Sequence, residues 1–330
     1  MNYRLPILAI AVFVLAGQHV AWGQAPQVIE PQRFADEIPG RDGAADPATP
    51  ETTDGQALVA RAAEQLLYLP GLTAKTRQRV EAFGQKAVGS GTYLQLPQPH
   101  KLLLRMDLKL QVGEHVTSLQ QISDGRYFWF RRDSGGQTSL VRVNLRKLRT
   151  EASASSSPIS PTLWVALGGL PKLMDMLAGY FAFQPARPTS VGDVPVWSLE
   201  GSWKPEVLAS LLPEQRDAIL AGQPADLTKL PEQLPHGVTL VLGRDQIIPY
   251  FPYVVSFYRC TSVEEDGHVS IRRQPMVTWE LFDVCLQPDL SPSEFDYAPA
   301  KWEDRTNDYV GRIRAAVVPP ENVDVKEEAK

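Results

Sequence analysis

Residues 101–132 read KLLLRMDLKLQVGEHVTSLQQISDGRYFWFRR, and this stretch indicates the class of fold. Between residues 102 and 112 an apolar side chain occupies every second position, which is the pattern of a long antiparallel strand with one dry face. The dipeptides Gly113-Glu114 and Asp124-Gly125 mark turns on either side of a second strand at residues 116–123. Further strands at residues 126–132 and 140–144 complete a predicted antiparallel meander.

Upstream of the meander, the sequence predicts two helices. Thr53 and Gln56 have the spacing of a capping box, and residues 58–69 then place leucine and alanine on one helical face. Residues 74–84 are predicted as the second helix, and Gly89-Ser90-Gly91 as its connection to the first strand.

Downstream of the meander, the sequence predicts an apolar helix and a second set of strands. Residues 163–183 carry only Lys172 and Asp175 as charges, so a helix there needs cover on most of its surface. A further helix at residues 205–221 is predicted to bend or restart at Pro213. The predicted strands are residues 194–203, 238–242, 253–259 and 276–284.

The amino-terminal segment has the organisation of a secretory signal peptide. Arg4 precedes a short apolar run, and Ala21-Trp22-Gly23 offers small residues at the two positions that a signal peptidase reads. We predict cleavage after Gly23, with an uncleaved anchor as the alternative, and a soluble product in the periplasm or another extracytoplasmic compartment. The predicted domains are a signal peptide at residues 1–23, a disordered leader at 24–53, a single domain at 54–317 and a disordered tail at 318–330.

Composition and motifs narrow the classes of function. Lysine and arginine number 33 against 38 aspartates and glutamates, so we expect no nucleic-acid binding and at most peripheral membrane contact. The five histidines lack the spacing of metal ligands, and the chain has neither a nucleophile elbow nor a phosphate-binding loop. We therefore expect a protein that is not an enzyme, with no catalytic residue, no metal and no cofactor.

Two cysteines, Cys260 and Cys285, are too few for a disulfide-built scaffold. A hairpin turn at residues 264–267 would place Cys260 opposite Ile271 or Arg272. Cys285 would then lie about 40 Å further along the strand. We predict two unpaired thiols, unless a bend or another turn brings them together.

Large apolar side chains are concentrated on the predicted strands and on the apolar helix. A filled core between sheet and helices accounts for them, and so does an apolar ligand cavity. In the second case residues 170–181 form a lid over the sheet, with glycines at 168, 169 and 179 lowering the energy needed to hinge it. The candidate ligand-binding residues are Trp129, Leu170, Leu173, Met174, Leu177, Phe181, Trp197 and Trp279.

Several segments carry a resemblance to a known family. They are Gly91-Thr92-Tyr93-Leu94 after two helices, the turn and aromatic run SDGRYFW at residues 123–129, the segments 238–243, 248–250 and 277–283, and the closing Phe295-Asp296-Tyr297-Ala298-Pro299. Over residues 54–310 the chain resembles the LolA-like outer-membrane lipoprotein-sorting proteins. The resemblance implies an α+β fold in which an incomplete antiparallel β-barrel, a half-barrel, has helices covering its concave face and encloses a cavity for acyl chains.

Two classes of function remain open. One is a periplasmic carrier that binds the acyl chains of a lipid or lipoprotein in an apolar cavity. The other is a non-catalytic cell-envelope binding or sensing module that contacts a partner protein, since a fold does not determine function. The expected partners are therefore an acyl chain or an envelope protein.

Overall fold

The structure is a computed structural model, and it describes residues 53–82, 85–154, 163–265 and 268–315. The predicted signal peptide, nearly all of the predicted leader and the predicted tail lie outside the described residues. Within the described ranges, none of the helices has the length and apolar character needed to cross a membrane.

The described residues form thirteen strands and seven α-helices. The helices are α1 (Gly55–Tyr68), α2 (Leu145–Ala154), α3 (Trp164–Leu167), α4 (Gly169–Tyr180), α5 (Pro205–Leu211), α6 (Arg216–Leu220) and α7 (Thr306–Ala315). The strands are β1 (Leu72–Ala82), β2 (Gln85–Gln98), β3 (Lys101–Val112), β4 (His115–Ser123), β5 (Tyr127–Ser134), β6 (Gln137–Asn144), β7 (Phe181–Phe183), β8 (Arg187–Val191), β9 (Val194–Trp203), β10 (Gly237–Gly243), β11 (Pro252–Glu265), β12 (His268–Leu286) and β13 (Glu303–Asp304).

All thirteen strands belong to one open sheet. Its order is β13-β6-β5-β4-β3-β2-β1-β12-β11-β10-β9-β7, and β8 pairs with β9 next to β7. Neighbours are antiparallel, as in the long β2–β3 and β11–β12 pairs, except that β13 lies parallel to β6. The predicted class, α+β with an incomplete antiparallel β-barrel, is confirmed.

The two faces of the sheet differ in what covers them. One face packs beneath α1, α3 and α4 in a single apolar core that joins Leu58 of α1, Leu173 of α4, Leu104 of β3 and Trp279 of β12. We call this the inner face and its opposite the outer face. Alternate residues of β3 from Leu104 to Leu110 are buried, as the sequence pattern predicted.

The cap of α1 differs from the predicted one. Asp54 is the capping residue, and its carboxylate accepts from the backbone N–H groups of Gln56 (2.9 Å) and Ala57 (3.3 Å). Thr53 instead forms a β-bridge with Ala186, so the predicted capping box is wrong. The side chain of Gln56 links α1 to the end of α4 by donating to the carbonyl oxygen of Ala178 at 2.9 Å.

The second predicted helix is wrong, because residues 72–82 form strand β1 in the middle of the sheet. Lysine and arginine at 75, 77 and 79 alternate with Thr76 and Gln78, so the side chains have the period of two of a strand. The inner face of this part of β1 is formed by Thr76 and Gln78, which are buried but small or polar. Gly89 and Gly91, predicted as a connection, lie inside β2. A Cβ on Gly89 would meet the side chain of Leu110 on the next strand, so glycine permits a close approach there.

The downstream elements mostly follow the prediction. The apolar segment forms α3 and α4, β9 has the predicted bounds, and the helix after it stops before Pro213 and restarts at Arg216. Cys260 lies opposite Arg273, and Cys285 lies opposite Thr73 near the far end of β12. The register differs slightly from the predicted one, but both thiols are unpaired, as predicted.

Candidate functional site

Helices α3 and α4 lie on the inner face through apolar side chains. Leu170, Leu173, Met174 and Leu177 of α4 are buried at 2% exposure or less. Beside them, Trp164 of α3 meets Trp279 of β12 edge to face, with ring centroids 4.8 Å apart and planes at 73°. The predicted lid helix therefore covers the sheet.

A small cavity remains under these helices. Its volume is about 10 Å³, which is room for about one water molecule. The core between sheet and helices is therefore filled in this structure. The lining residues are Thr76, Tyr93, Met106, Trp164, Leu170, Leu173, Val255, Trp279 and Leu281.

A buried tyrosine joins the start of α4 to the sheet. The Tyr93 hydroxyl donates to Oε1 of Gln95 (2.8 Å) and accepts from the backbone N–H of Leu170 (3.2 Å). The amide of Gln95 in turn donates to the carbonyl oxygen of Leu66 in α1 at 2.7 Å. Because burial disfavours the phenolate, the pKa of Tyr93 lies well above its usual value.

The predicted hinge glycines are not equivalent. Gly168 and Gly169, between α3 and α4, have φ angles of +152° and +67°. A Cβ on Gly169 would lie 2.6 Å from the Tyr93 hydroxyl oxygen, whereas a Cβ on Gly179 would meet nothing within 4 Å. Residue 169 therefore requires glycine and residue 179 does not.

Six of the eight predicted ligand-binding residues belong to the one core under α4. They are Leu170, Leu173, Met174, Leu177, Phe181 and Trp279. Phe181 stacks on Trp203 at 4.4 Å rather than facing the small cavity. Trp197 is partly buried at the edge of the same core, with the guanidinium of Arg244 4.5 Å from its ring.

The prediction that Trp129 faces the same core is wrong. Phe128 takes the inner position on β5, so its neighbour Trp129 points to the outer face. There its ring lies 5.7 Å from those of Tyr297 and Trp302, and its indole N–H donates to Asp124 at 3.3 Å.

Three side chains of the interior were not among the predicted site residues. Trp164 and Tyr93 line the cavity, and Gln78 is fully buried on the inner face of β1. Trp164 lies in the apolar segment that the sequence singled out, so its burial could have been predicted. Gln78 lies in the segment that was predicted to be helical, so no signal pointed to it.

The outer face carries a second, polar depression over the central strands. Its volume is about 640 Å³. Two of its charged side chains form ion pairs with neighbours on the sheet, Lys75 with Asp283 (2.7 Å) and Arg131 with Asp133 (2.8 Å). Near it, Arg77 and Glu280 form a buried ion pair at 3.0 Å. The polar residues lining the depression are Lys75, Thr76, Ser90, Thr92, Asp107, Lys109, Ser118, Gln120, Arg131 and Asp133.

His236, directly before β10, is a buried histidine among the described residues. Nδ1 of His236 accepts from the backbone N–H of Cys260 at 3.0 Å. Burial, with the nearby charge of Arg259, lowers the pKa of His236 below its usual value. Among the described residues, no group of three or more histidines, cysteines, aspartates or glutamates is placed to hold a metal ion.

Comparison with protein-family models and with curated proteins finds no match. Among solved structures, a DUF1329 family protein from Desulfovibrio piger is 10% identical with a TM-score of 0.32, covering 74% of this chain and 98% of that one. MucB is 13% identical with a TM-score of 0.33, covering 76% of this chain and 65% of that one. A putative outer membrane lipoprotein-sorting protein domain from Vibrio parahaemolyticus is 8% identical with a TM-score of 0.30, covering 73% of this chain and 96% of that one.

Proposed function

We propose that this protein is a non-catalytic extracytoplasmic carrier that binds the acyl chain of a lipid or lipoprotein between α4 and the inner face of the sheet. The observation that carries the proposal is the burial of four apolar side chains, Leu170, Leu173, Met174 and Leu177, in the core that α4 shares with that face. An acyl chain presents the same chemistry as these side chains, so it can replace their apolar contacts with the sheet.

The way α4 is attached favours opening at one end. At its carboxyl end, the carbonyl oxygen of Ala178 accepts from Gln56 (2.9 Å) and from Lys204 (2.7 Å). At its amino end, α4 begins with Gly169 directly after Gly168 and is joined to the sheet by the longer Leu170–Tyr93 hydrogen bond. We therefore expect the amino end to lift from the sheet while the carboxyl end stays attached.

The burial energy of a chain is large enough for such an exchange. Each buried methylene contributes about 0.8 kcal/mol, so a fourteen-carbon chain contributes on the order of 10 kcal/mol before ordering terms. Met174 and Met176 are both buried on α4, and unbranched methionine side chains adapt to chains of varied shape.

The test is uptake of a brominated hexadecanoic acid, whose bromine quenches nearby tryptophan fluorescence. Quenching is expected for the parent protein, because Trp164 and Trp279 line the cavity. Leu173→Glu combined with Leu177→Glu should abolish it, since charges then face the chain. Circular dichroism should still report the sheet.

The control variant is Asp175→Lys, which changes a charge on the exposed side of the same helix and should leave uptake unchanged. Unchanged uptake by the variant with two glutamates, or no uptake by the parent, would contradict the proposal.

A second candidate function is a cell-envelope module that contacts a partner protein. The filled core and the polar depression of about 640 Å³ on the outer face favour this alternative. It predicts that the protein purified from its own host carries no lipid by mass spectrometry, whereas the carrier predicts bound acyl chains.

A further inference from the structure

A polar side chain without a partner lies in the apolar interior. Gln78 of β1 has 0% exposure on the inner face. Within the described part of the chain, neither its amide nitrogen nor its amide oxygen has a hydrogen-bond partner. Burying an unpaired amide is unfavourable, so the position calls for a group that would pair with it.

A second unpartnered group lies nearby. Gln78 is paired across the strands with Trp279, and the ring of Trp164 meets Trp279 at 4.8 Å. The indole N–H of Trp164 is buried and has no partner among the described residues. Thr76, two residues before Gln78 on the same face, lines the cavity together with both tryptophans. The two unpartnered groups therefore both neighbour Trp279, which lines the cavity.

The neighbouring strand shows that an amide on this face can be fully paired. Gln95 of β2 is also completely buried, yet its oxygen accepts from Tyr93 and its nitrogen donates to Leu66. Directly opposite Gln78 on β2 lies Gly89, which has no side chain that could form a hydrogen bond with the amide. The missing partner is thus a local property of the site around Gln78.

The chemistry of the two groups selects the partner. The indole of Trp164 can only donate, whereas the amide of Gln78 offers donors and an acceptor. A carbonyl oxygen would leave the Gln78 oxygen unpaired, and a carboxylate would bring a charge into an apolar core. A hydroxyl group both accepts and donates.

We propose that Gln78 and Trp164 form a subsite for a hydroxyl group on the buried part of the acyl chain. This inference rests on the proposed carrier function. It narrows the ligand from any acyl chain to a hydroxylated one, with the hydroxyl at the depth of Trp279.

The experiment compares hexadecanoic acid with hydroxyhexadecanoic acids that carry the hydroxyl near the carboxyl end, in the middle or near the methyl end. Each competes against brominated hexadecanoic acid for the full-length protein, and tryptophan fluorescence reports displacement. One isomer should bind about three- to tenfold more tightly than the unsubstituted chain, the range expected from one net hydrogen bond. The preferred isomer gives the depth of the subsite.

Substitutions then assign the preference to the two residues. In the variants Gln78→Leu and Gln78→Met, the preference for the hydroxylated chain should fall to about onefold, and the protein should still bind hexadecanoic acid. Trp164→Phe should reduce the preference for the hydroxylated chain in part. Gln95→Leu is the matched control: it removes a paired amide, so it should lower stability but keep the preference.

The outcomes separate the inference from the proposed function. If the parent binds every isomer as it binds hexadecanoic acid, or if Gln78→Leu keeps the preference, the hydroxyl subsite is wrong and the carrier stands. Water would then be the better occupant of the cavity. If the parent binds no chain at all, the carrier function is wrong and the subsite with it.

Discussion

The two glycines at the ends of α4 allow a sharp test of how this helix is held. Gly169→Ala puts a Cβ at φ +67°, 2.6 Å from the Tyr93 hydroxyl oxygen and 2.8 Å from a methyl carbon of Leu104. Gly179→Ala makes the same chemical change at the other end of the helix, where a Cβ has open space.

The expected effects have opposite signs. Alanine in the left-handed region costs about 1–2 kcal/mol, and disturbing the two hydrogen bonds of Tyr93 costs about 0.5–1.5 kcal/mol each. Alanine also restricts the unfolded chain, which raises the free energy of unfolding by about 0.4–1 kcal/mol. Gly169→Ala should therefore lower the free energy of unfolding by about 2–4 kcal/mol. Gly179→Ala should raise it by about 0.5–1 kcal/mol, because the helix gains a better helix former.

Urea unfolding followed by circular dichroism measures both changes, provided that the slope of the transition stays constant. The reasoning predicts a clear separation between the two midpoints. If the two variants unfold at the same urea concentration, or if Gly169→Ala is as stable as the parent, α4 is not held at Gly169 in the way described. The hinge argument would then be wrong as well.

Three other outcomes are expected. Arg77→Met alone should lower the free energy of unfolding by about 3–5 kcal/mol, because the buried carboxylate of Glu280 loses its ion pair at 3.0 Å and keeps only the longer contact with Arg79 at 3.8 Å. Adding Glu280→Leu should restore much of this loss, and urea unfolding measures both changes. For His236, whose pKa is lower in the folded state, the unfolded chain binds the proton first, so stability should fall as the pH drops below about 6.5, and His236→Asn should flatten this dependence. A thiol reagent should modify exposed Cys285 in the native protein faster than half-buried Cys260, and two thiols should react after unfolding without reductant.

Strands with large apolar residues at alternate positions could be predicted from the sequence. In β3 the leucines at 104, 108 and 110 all point inward, and β9 was predicted with its observed bounds. Strand β1 was missed because its inward residues include Thr76 and Gln78, which carry no apolar signal. What buries them is the sheet around them, and that arises from strands distant in the chain.

The side of the sheet on which an aromatic residue lies was harder to predict. In β5 the consecutive residues Phe128 and Trp129 are both apolar, so periodicity cannot tell which one faces the helices. The outer position of Trp129 is stabilised by Tyr297 and Trp302, more than 160 residues later in the chain. The unpartnered amide of Gln78 is likewise a property of the assembled core, because its cross-strand neighbours Gly89 and Trp279 come from other parts of the chain.

A filled core and a carrier of acyl chains are compatible if the ligand is long. Burial of a large apolar side chain contributes about 1.5–3 kcal/mol, so the four inward residues of α4, Leu170, Leu173, Met174 and Leu177, hold the helix with roughly 6–12 kcal/mol. At about 0.8 kcal/mol for each methylene, a chain needs on the order of 8–15 buried methylenes to replace them. Octanoic acid should therefore fail to displace the helix where hexadecanoic acid succeeds. The closed helix also keeps a large apolar patch from water. Under the proposed carrier function, the filled core would therefore select for length rather than exclude ligands.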